Sequence, residues 1–119
     1  MTTAQDYRAI STDLFEQANI ELEAGDLIQA SEKFWGAAAH SLESIAEDRG
    51  WEHKSHAHSY RIIRNLANET DDKQLIYLFN AADSLHSNFY ENWMQEDEIR
   101  HFATQVSQLI HRLANIDAA

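Results

Sequence analysis

The stretch of chain with the most potential for chemistry is residues 80–91, where polar side chains interrupt an apolar helical pattern. His86 continues the spacing of the apolar residues before it and should face the core, where histidine is usually a hydrogen-bonded structural residue. The alternative is an imidazole held beside Asn88, Tyr90 and Glu91 at a kinked helix junction. Such an imidazole could polarise a hydroxyl group or bind a phosphate oxygen. These four residues form the first candidate site.

A short basic island, residues 49–64, is the second candidate. It contains four of the nine Lys and Arg residues and a single acid, Glu52. Short basic stretches in an acidic protein usually balance neighbouring carboxylates on a solvated face. The functional alternative is that His56, Arg61 and Arg64 reach a ligand from a neighbouring helix.

The histidines of this island are also the densest group of potential metal ligands. A zinc site needs three or four ligands that converge tetrahedrally. His56 and His58 are two residues apart, so on a helix they point about 200° apart and cannot easily share one ion. We therefore expect them, with His53, to cap or flank a helix, and we predict neither a metal site nor a cofactor.

Composition narrows the remaining classes of protein. The chain has no cysteine, which excludes disulfides and thiolate metal sites and is compatible with a reducing cytoplasm. Its first residues lack the features of a signal peptide, and no apolar run is long enough to cross a bilayer. The net charge of −11 opposes non-specific binding to phosphate backbones. We expect a cytoplasmic protein with no membrane partner, in which any RNA contact is local.

The pattern of breaks predicts an all-α fold. The chain has no proline, and Gly25 and Gly50 stand where helices should end. Residues 1–119 should form a single domain, an up-down antiparallel bundle of four to five helices. The predicted features, in chain order, are a helix over about 3–24, a second from Asp26 to near Gly50, a connection at 51–55, a third helix capped by Ser55, a break at 68–72, a fourth helix capped by Thr70, and a last helix beginning at the acidic residues 96–98.

Two strings resemble a known family. AGDLIQASEKFWGAAAHSLESIAEDRG, residues 24–50, and LHSNFYENW, residues 85–93, resemble the paREP group of archaeal repeat-encoded proteins, within the HEPN superfamily. The resemblance extends from about residue 10 to residue 113. It implies an HEPN-like helical bundle, commonly a homodimer, and a link to RNA or to toxin–antitoxin-like systems.

The resemblance also points to one catalytic position. HEPN ribonucleases carry an arginine, then four to six residues, then a histidine, and that histidine would be His86. With five intervening residues, Asn80 stands where the arginine is expected, and Asn88 stands where some relatives have a tyrosine. A neutral amide cannot stabilise the extra negative charge of the transition state, so catalysis should be strongly weakened.

Three functions remain open. The leading hypothesis is an HEPN-like, non-catalytic or regulatory module, a homodimer whose site within residues 80–91 binds RNA, a nucleotide or a partner protein. The second is a metal-independent, toxin-like ribonuclease with His86 as general base and Arg61 or Arg64 supplying the missing charge. The third is a structural or antitoxin-like subunit whose acidic surface meets a basic protein.

Overall fold

Five α-helices account for most of the chain in the computed structural model, which describes residues 1–118. The helices are α1 Ala4–Glu23, α2 Leu27–Arg49, α3 His56–Thr70, α4 Gln74–Glu91 and α5 Glu96–Ala118. No strand occurs among the described residues. The predicted all-α bundle is confirmed, with five helices.

Side-chain caps fix the starts of the first three helices, as the sequence indicates. Thr3 and Asp6 form a reciprocal capping box at the start of α1. Asp26 and Ser55 each accept a hydrogen bond from a backbone N–H in the first turn of α2 and α3, which satisfies a donor that the helix itself leaves unpaired. Gly50 ends α2 in the left-handed conformation, with φ of 70°.

The prediction that Thr70 caps the fourth helix is wrong. Thr70 is the last residue of α3, and its hydroxyl donates to the carbonyl of Leu66 at 2.7 Å. Asp71 ends α3 with φ of 55°, and Asp72 accepts a hydrogen bond from the backbone N–H of Gln74 at 3.2 Å. A threonine hydroxyl can bond the carbonyl four residues back as well as cap the next helix, so the break comes later than predicted.

The expected kinked junction around His86 is also wrong. α4 continues to its last residue without interruption, and Asn92, with φ of 49°, ends it. The side-chain oxygen of Asn88 accepts hydrogen bonds from the backbone N–H groups of Trp93 and Met94, both at 2.8 Å. The polar residue therefore holds the turn that follows the helix and does not break the helix itself.

One connection departs from the simple up-down order. Side-chain hydrogen bonds between the helices show that three pairs run antiparallel, namely α1 with α2, α3 with α4, and α4 with α5. In contrast, α2 and α3 run in the same direction. His56 at the start of α3 stacks on Trp35, and Glu69 near its end pairs with Arg49 at the end of α2. Residues 50–55 connect the two helices by running back along α2. Six extended residues span about 20 Å, which is close to the length of the α2 segment between Trp35 and Arg49.

The central element of the bundle is α2, which packs against all four other helices. Its Phe34 is fully buried, as is Phe79 of α4. Burial of a phenylalanine side chain contributes on the order of 2–3 kcal/mol, so these rings anchor the contact between α2 and α4. That contact, with α3 beside it, fixes the surface on which the candidate site lies.

Candidate functional site

Two histidines and a tryptophan from three helices stack together where α2, α3 and α4 meet. The ring centroids are 5.1 Å apart for Trp35 and His56, 4.8 Å for Trp35 and His86, and 5.4 Å for the two imidazoles. The interplanar angles lie between 7° and 24°. We call these three side chains, with Glu32 and Asp83, the imidazole cluster.

A carboxylate holds the imidazole of His86. Nδ1 of His86 lies 2.9 Å from Oε1 of Glu32, and the side chain is 24% exposed. The carboxylate oxygen accepts the N–H, which places the proton on Nδ1. Nε2 has no hydrogen-bond partner among the described residues. The ring of Tyr90, one turn later, meets His86 edge-on at 5.4 Å.

A second carboxylate holds His56. Nε2 of His56 lies 2.9 Å from Oδ1 of Asp83, and the hydroxyl of Tyr60 donates to Oδ2 of the same carboxylate at 2.8 Å. Burial, followed by this hydrogen bond, raises the pKa of Tyr60 well above its ordinary value, and the nearby charge of Arg64 opposes the rise. Tyr60 therefore keeps its proton at neutral pH and acts as a donor that fixes Asp83.

Helical spacing explains how three helices supply this site. Each contributes a pair of side chains three or four residues apart, which places both on one face of the helix. The pairs are Glu32 with Trp35 in α2, His56 with Tyr60 in α3, and Asp83 with His86 in α4. The cluster therefore depends on the packing of three regular helices.

The structure brings three of the predicted site residues together, namely His86, His56 and Tyr90. Asn88 is fully buried instead, and its amide group donates to the hydroxyl of Ser31 at 3.1 Å. With its oxygen engaged in the turn after α4, Asn88 has its polar atoms satisfied within the protein.

The other predicted residues form no side-chain hydrogen bond with the imidazole cluster among the described residues. Asn80 and Glu91 are exposed on α4. Arg61 lines a separate hollow beside Trp51, and the guanidinium of Arg64 lies 5.8 Å from the centre of the Tyr60 ring. Within residues 1–118, no guanidinium group forms a hydrogen bond with an imidazole of the cluster.

The three histidines of the basic island separate in the fold. His53 lies between Glu47, at 2.8 Å, and Glu43, at 3.1 Å, whereas Nε2 of His58 lies 3.2 Å from Glu52. No group of three or more His, Cys, Asp or Glu side chains within the described part of the chain is placed to hold a metal ion. Absence of a bound metal stays a prediction.

Four residues of the site are missing from the sequence-based prediction, namely Glu32, Trp35, Tyr60 and Asp83. A signal was available, because each stands three or four residues from another polar or aromatic residue on its own helix. Such spacing is common on helices, however, and only the packing of α2 against α3 and α4 selects these pairs.

The cluster offers a ligand two kinds of contact. The first is stacking on aromatic and imidazole rings, and the exposed ring of Tyr90 extends that surface. The second is hydrogen bonding by Nδ1 of His56 and Nε2 of His86, the nitrogens that face away from the carboxylates. No helix among the described residues is long and apolar enough to cross a membrane.

Comparison with known proteins gives a family and a fold. The model of the archaeal PaREP1/PaREP8 family matches residues 6–110. The fold is similar to the crystal structure of a protein from Sulfolobus solfataricus, with 21% sequence identity, a TM-score of 0.80, and coverage of 89% of this chain and 94% of that chain. At this identity the likeness shows the fold alone. No curated protein matches the chain significantly.

Proposed function

This chain belongs to the archaeal PaREP1/PaREP8 family, and from that premise and the site geometry we propose that it is an HEPN-like, non-catalytic module that binds RNA or a nucleotide at the imidazole cluster. One observation carries the proposal: the stack of Trp35, His56 and His86 beside the exposed ring of Tyr90. The family assignment gives no ligand, so the argument rests on the chemistry of these side chains.

A nucleobase fits this chemistry better than an isolated phosphate does. Unpaired bases stack on aromatic and imidazole side chains, and each stacked base contributes about 1–3 kcal/mol. The remaining ring nitrogens, Nδ1 of His56 and Nε2 of His86, can bond the edge of a base. The carboxylates of Glu32 and Asp83 place negative charge beside both imidazoles, which leaves little local attraction for a phosphate.

The proposal that the module is non-catalytic rests on the lack of a positive charge at the position where the ribonuclease motif has an arginine. Hydrolysis or transesterification of RNA needs a cation beside the phosphate to stabilise the transition state. Asn80 is exposed on α4 and is neutral, and the guanidinium of Arg64 lies over the ring of Tyr60 and forms no hydrogen bond with His86 within residues 1–118. Loss of such a group typically costs about a hundred- to a thousand-fold in rate.

Binding of a labelled single-stranded RNA, measured by fluorescence anisotropy in the presence of a chelator, tests this function. Tyr90 is 70% exposed, so Tyr90→Ala should fold normally and weaken binding about tenfold, the loss of one stacking contact. Tyr77→Ala is the matched control, because Tyr77 lies on the same helix and is 65% exposed. Equal effects of the two substitutions, or no binding by the wild-type protein, would contradict the proposal.

A metal-independent ribonuclease is the second candidate, and one observation favours it. Each imidazole has one nitrogen held by a carboxylate, and the other has no hydrogen-bond partner in the described part of the chain, which is how general acids and bases are oriented. Labelled RNA incubated in chelator with wild type, His86→Ala, Arg64→Ala and Asn80→Arg decides between the two. We expect no cleavage by wild type. If the wild-type protein cleaves RNA robustly and His86→Ala abolishes the cleavage, the ribonuclease function replaces the first proposal. If only Asn80→Arg cleaves, the protein is a catalytically inactive relative of a ribonuclease.

A further inference from the structure

The positively charged side chains of this protein divide into two groups by their ion pairs. Five of the nine Lys and Arg residues pair with carboxylates, namely Arg8, Lys33, Arg49, Arg100 and Arg112. The others form no ion pair within residues 1–118, namely Lys54, Arg61, Arg64 and Lys73. The cations that no carboxylate neutralises are therefore concentrated in and around α3.

Two of these cations lie on the outer surface of α3. Arg61 and Arg64 are exposed, and so are Asn65 and Asn68. Steps of three or four residues connect the four positions, which places them on one side of the helix. No Asp or Glu occurs from residue 54 to residue 68. We call these four side chains the basic face of α3.

The carboxylates that border this face have other partners. Glu69, near the end of α3, receives two hydrogen bonds from the guanidinium of Arg49, at 2.6 and 2.8 Å. Glu52 lines the same hollow as Arg61, but its carboxylate lies 3.2 Å from Nε2 of His58. Neither forms an ion pair with the basic face, so the two arginines of that face can bind an anion.

Ring surfaces adjoin the basic face at two places. The guanidinium of Arg64 lies 5.8 Å from the centre of the Tyr60 ring, and the Tyr60 hydroxyl donates to Asp83 of the imidazole cluster at 2.8 Å. Next to Arg61, a hollow of about 280 Å³ is lined in part by the half-buried ring of Trp51. Cations beside rings are the arrangement with which proteins hold single-stranded nucleic acid.

We propose that the basic face of α3 binds the phosphate backbone of a single-stranded RNA, one base of which stacks at the imidazole cluster. The inference rests on the proposed function and makes it specific, because the ligand is a polynucleotide rather than a free nucleotide. Guanidinium groups donate paired hydrogen bonds to phosphate oxygens. The amides of Asn65 and Asn68 can donate to phosphate or 2′-hydroxyl oxygens. An acidic peptide would meet the same charges but has no bases for the adjoining rings.

The salt dependence of RNA binding separates phosphate contacts from base stacking. For a single strand, the logarithm of the binding constant falls with the logarithm of salt concentration, with a slope of about −0.7 per phosphate contact. Arg61→Gln and Arg64→Gln should each make the slope shallower by about 0.7 and weaken binding about fivefold at about 0.1 M salt. Fluorescence anisotropy with a labelled single-stranded RNA measures both quantities. Tyr90→Ala, which removes only stacking, should weaken binding without changing the slope.

Arg100→Gln is the matched control. It removes the same charge from α5, where Arg100 pairs with Glu23 and Glu96, and it should leave affinity within about twofold and the slope unchanged. If Arg61→Gln and Arg64→Gln behave like Arg100→Gln, the proposal for α3 is overturned, whereas the effect of Tyr90→Ala still decides whether the imidazole cluster binds RNA.

The remaining outcomes separate this proposal from the proposed function. A shallower slope in Arg61→Gln together with full affinity in Tyr90→Ala would reject stacking at the imidazole cluster and leave the basic face as the RNA-binding surface. A wild-type protein that binds no RNA would overturn both. Binding of a polyglutamate peptide as tightly as RNA, lost in Arg61→Gln, would overturn the α3 proposal in favour of an acidic protein partner.

Discussion

The residues from Leu85 to Glu91 divide into two roles by their positions on α4. His86 and Tyr90, four residues apart, lie on the face that meets α2 and α3, where their rings contact each other. Asn88 lies on another face and is fully buried. One short polar string therefore supplies part of a binding surface and also the residue that holds the following turn.

Replacement of Asn88 by alanine should destabilise the fold without acting directly on the site. The change removes one hydrogen bond to Ser31 and two from the turn after α4. Buried partners left unsatisfied cost about 1–3 kcal/mol, so we expect the free energy of unfolding to fall by about 3 kcal/mol, measured by urea denaturation. Ser87→Ala, at the exposed neighbouring position, should change it by less than about 0.5 kcal/mol.

The opposite result for Asn88 would assign it to the ligand. If Asn88→Ala unfolds at the same urea concentration as Ser87→Ala but loses RNA binding, the amide contacts the ligand and the structural role given to it is wrong.

Local signals at single residues were predictable, and contacts between helices were not. Asp26 and Ser55 cap α2 and α3 as expected, because a cap depends only on residues within the next turn. The pairing of Glu32 with His86 joins positions 54 apart in sequence. Nothing in the spacing along either helix identifies the partner on the other.

At the scale of elements, the connection at 50–55 decides where the third helix begins. It runs back along α2 and delivers His56 to the side of Trp35. Its middle is fixed by His53, which lies between Glu43 and Glu47 and packs perpendicular to the Tyr7 ring, with the ring centroids 5.4 Å apart. Without this return, α3 would start at the opposite end of α2.

The ion pairs of His53 predict a dependence of stability on pH. Burial disfavours the charged imidazole, but hydrogen bonds to Glu47 and Glu43 outweigh it, so the pKa of His53 is raised. A pKa raised on folding contributes stability that is fully present below the unfolded-state pKa of about 6.5 and is lost as the pH rises through the folded-state value. His53→Gln should therefore destabilise the protein more at pH about 5.5 than at about 9, with a difference of up to about 1 kcal/mol.

Thermal or urea unfolding of both proteins at the two pH values measures this effect. His111→Gln, at an exposed position with no ion pair among the described residues, controls for loss of a histidine in general. A difference between wild type and His53→Gln that is the same at both pH values, or larger at the higher one, would refute the role given to these ion pairs.

The positions of the helices could largely be predicted from the sequence, but the directions in which neighbouring helices run could not. Apolar spacing and capping residues predict four to five helices, and residues 1–118 form five. The parallel run of α2 and α3 was missed, because the predicted up-down bundle makes consecutive helices antiparallel. The long return at 50–55 depends on contacts such as that of His53 with Glu47, which are absent from any local pattern.

At the scale of the whole molecule, exposed aromatic side chains concentrate near the end of α4. Tyr90 is 70% exposed and Trp93 is 50% exposed, and Phe89 contacts Tyr90 edge-on at 4.9 Å. Aromatic residues are enriched in the buried centres of protein interfaces. These three rings are the basis for the proposal that the protein forms a homodimer, with Trp93 at the contact and Tyr90 at its edge, where the ring still meets His86 of the imidazole cluster.

Sedimentation velocity tests the dimer. The wild-type protein should be dimeric in the micromolar range, and Trp93→Asp should make it monomeric because a buried carboxylate at the contact is costly. Ile20→Asp is the control, since Ile20 is 60% exposed on α1, and it should leave the dimer intact. Wild-type protein that is monomeric throughout the micromolar range would contradict the homodimer proposal.

The most direct test of the central claim is nuclear magnetic resonance of the histidine side chains during titration with a short single-stranded RNA. The chain has seven histidines, and their ring carbon–proton signals can be assigned by single substitutions to glutamine. We predict that the signals of His56 and His86 shift together and saturate, while those of His101 and His111, exposed on α5, do not move. Shifts confined to α5, or no shift at His56 and His86 while RNA binds, would contradict the assignment of the imidazole cluster as the binding site.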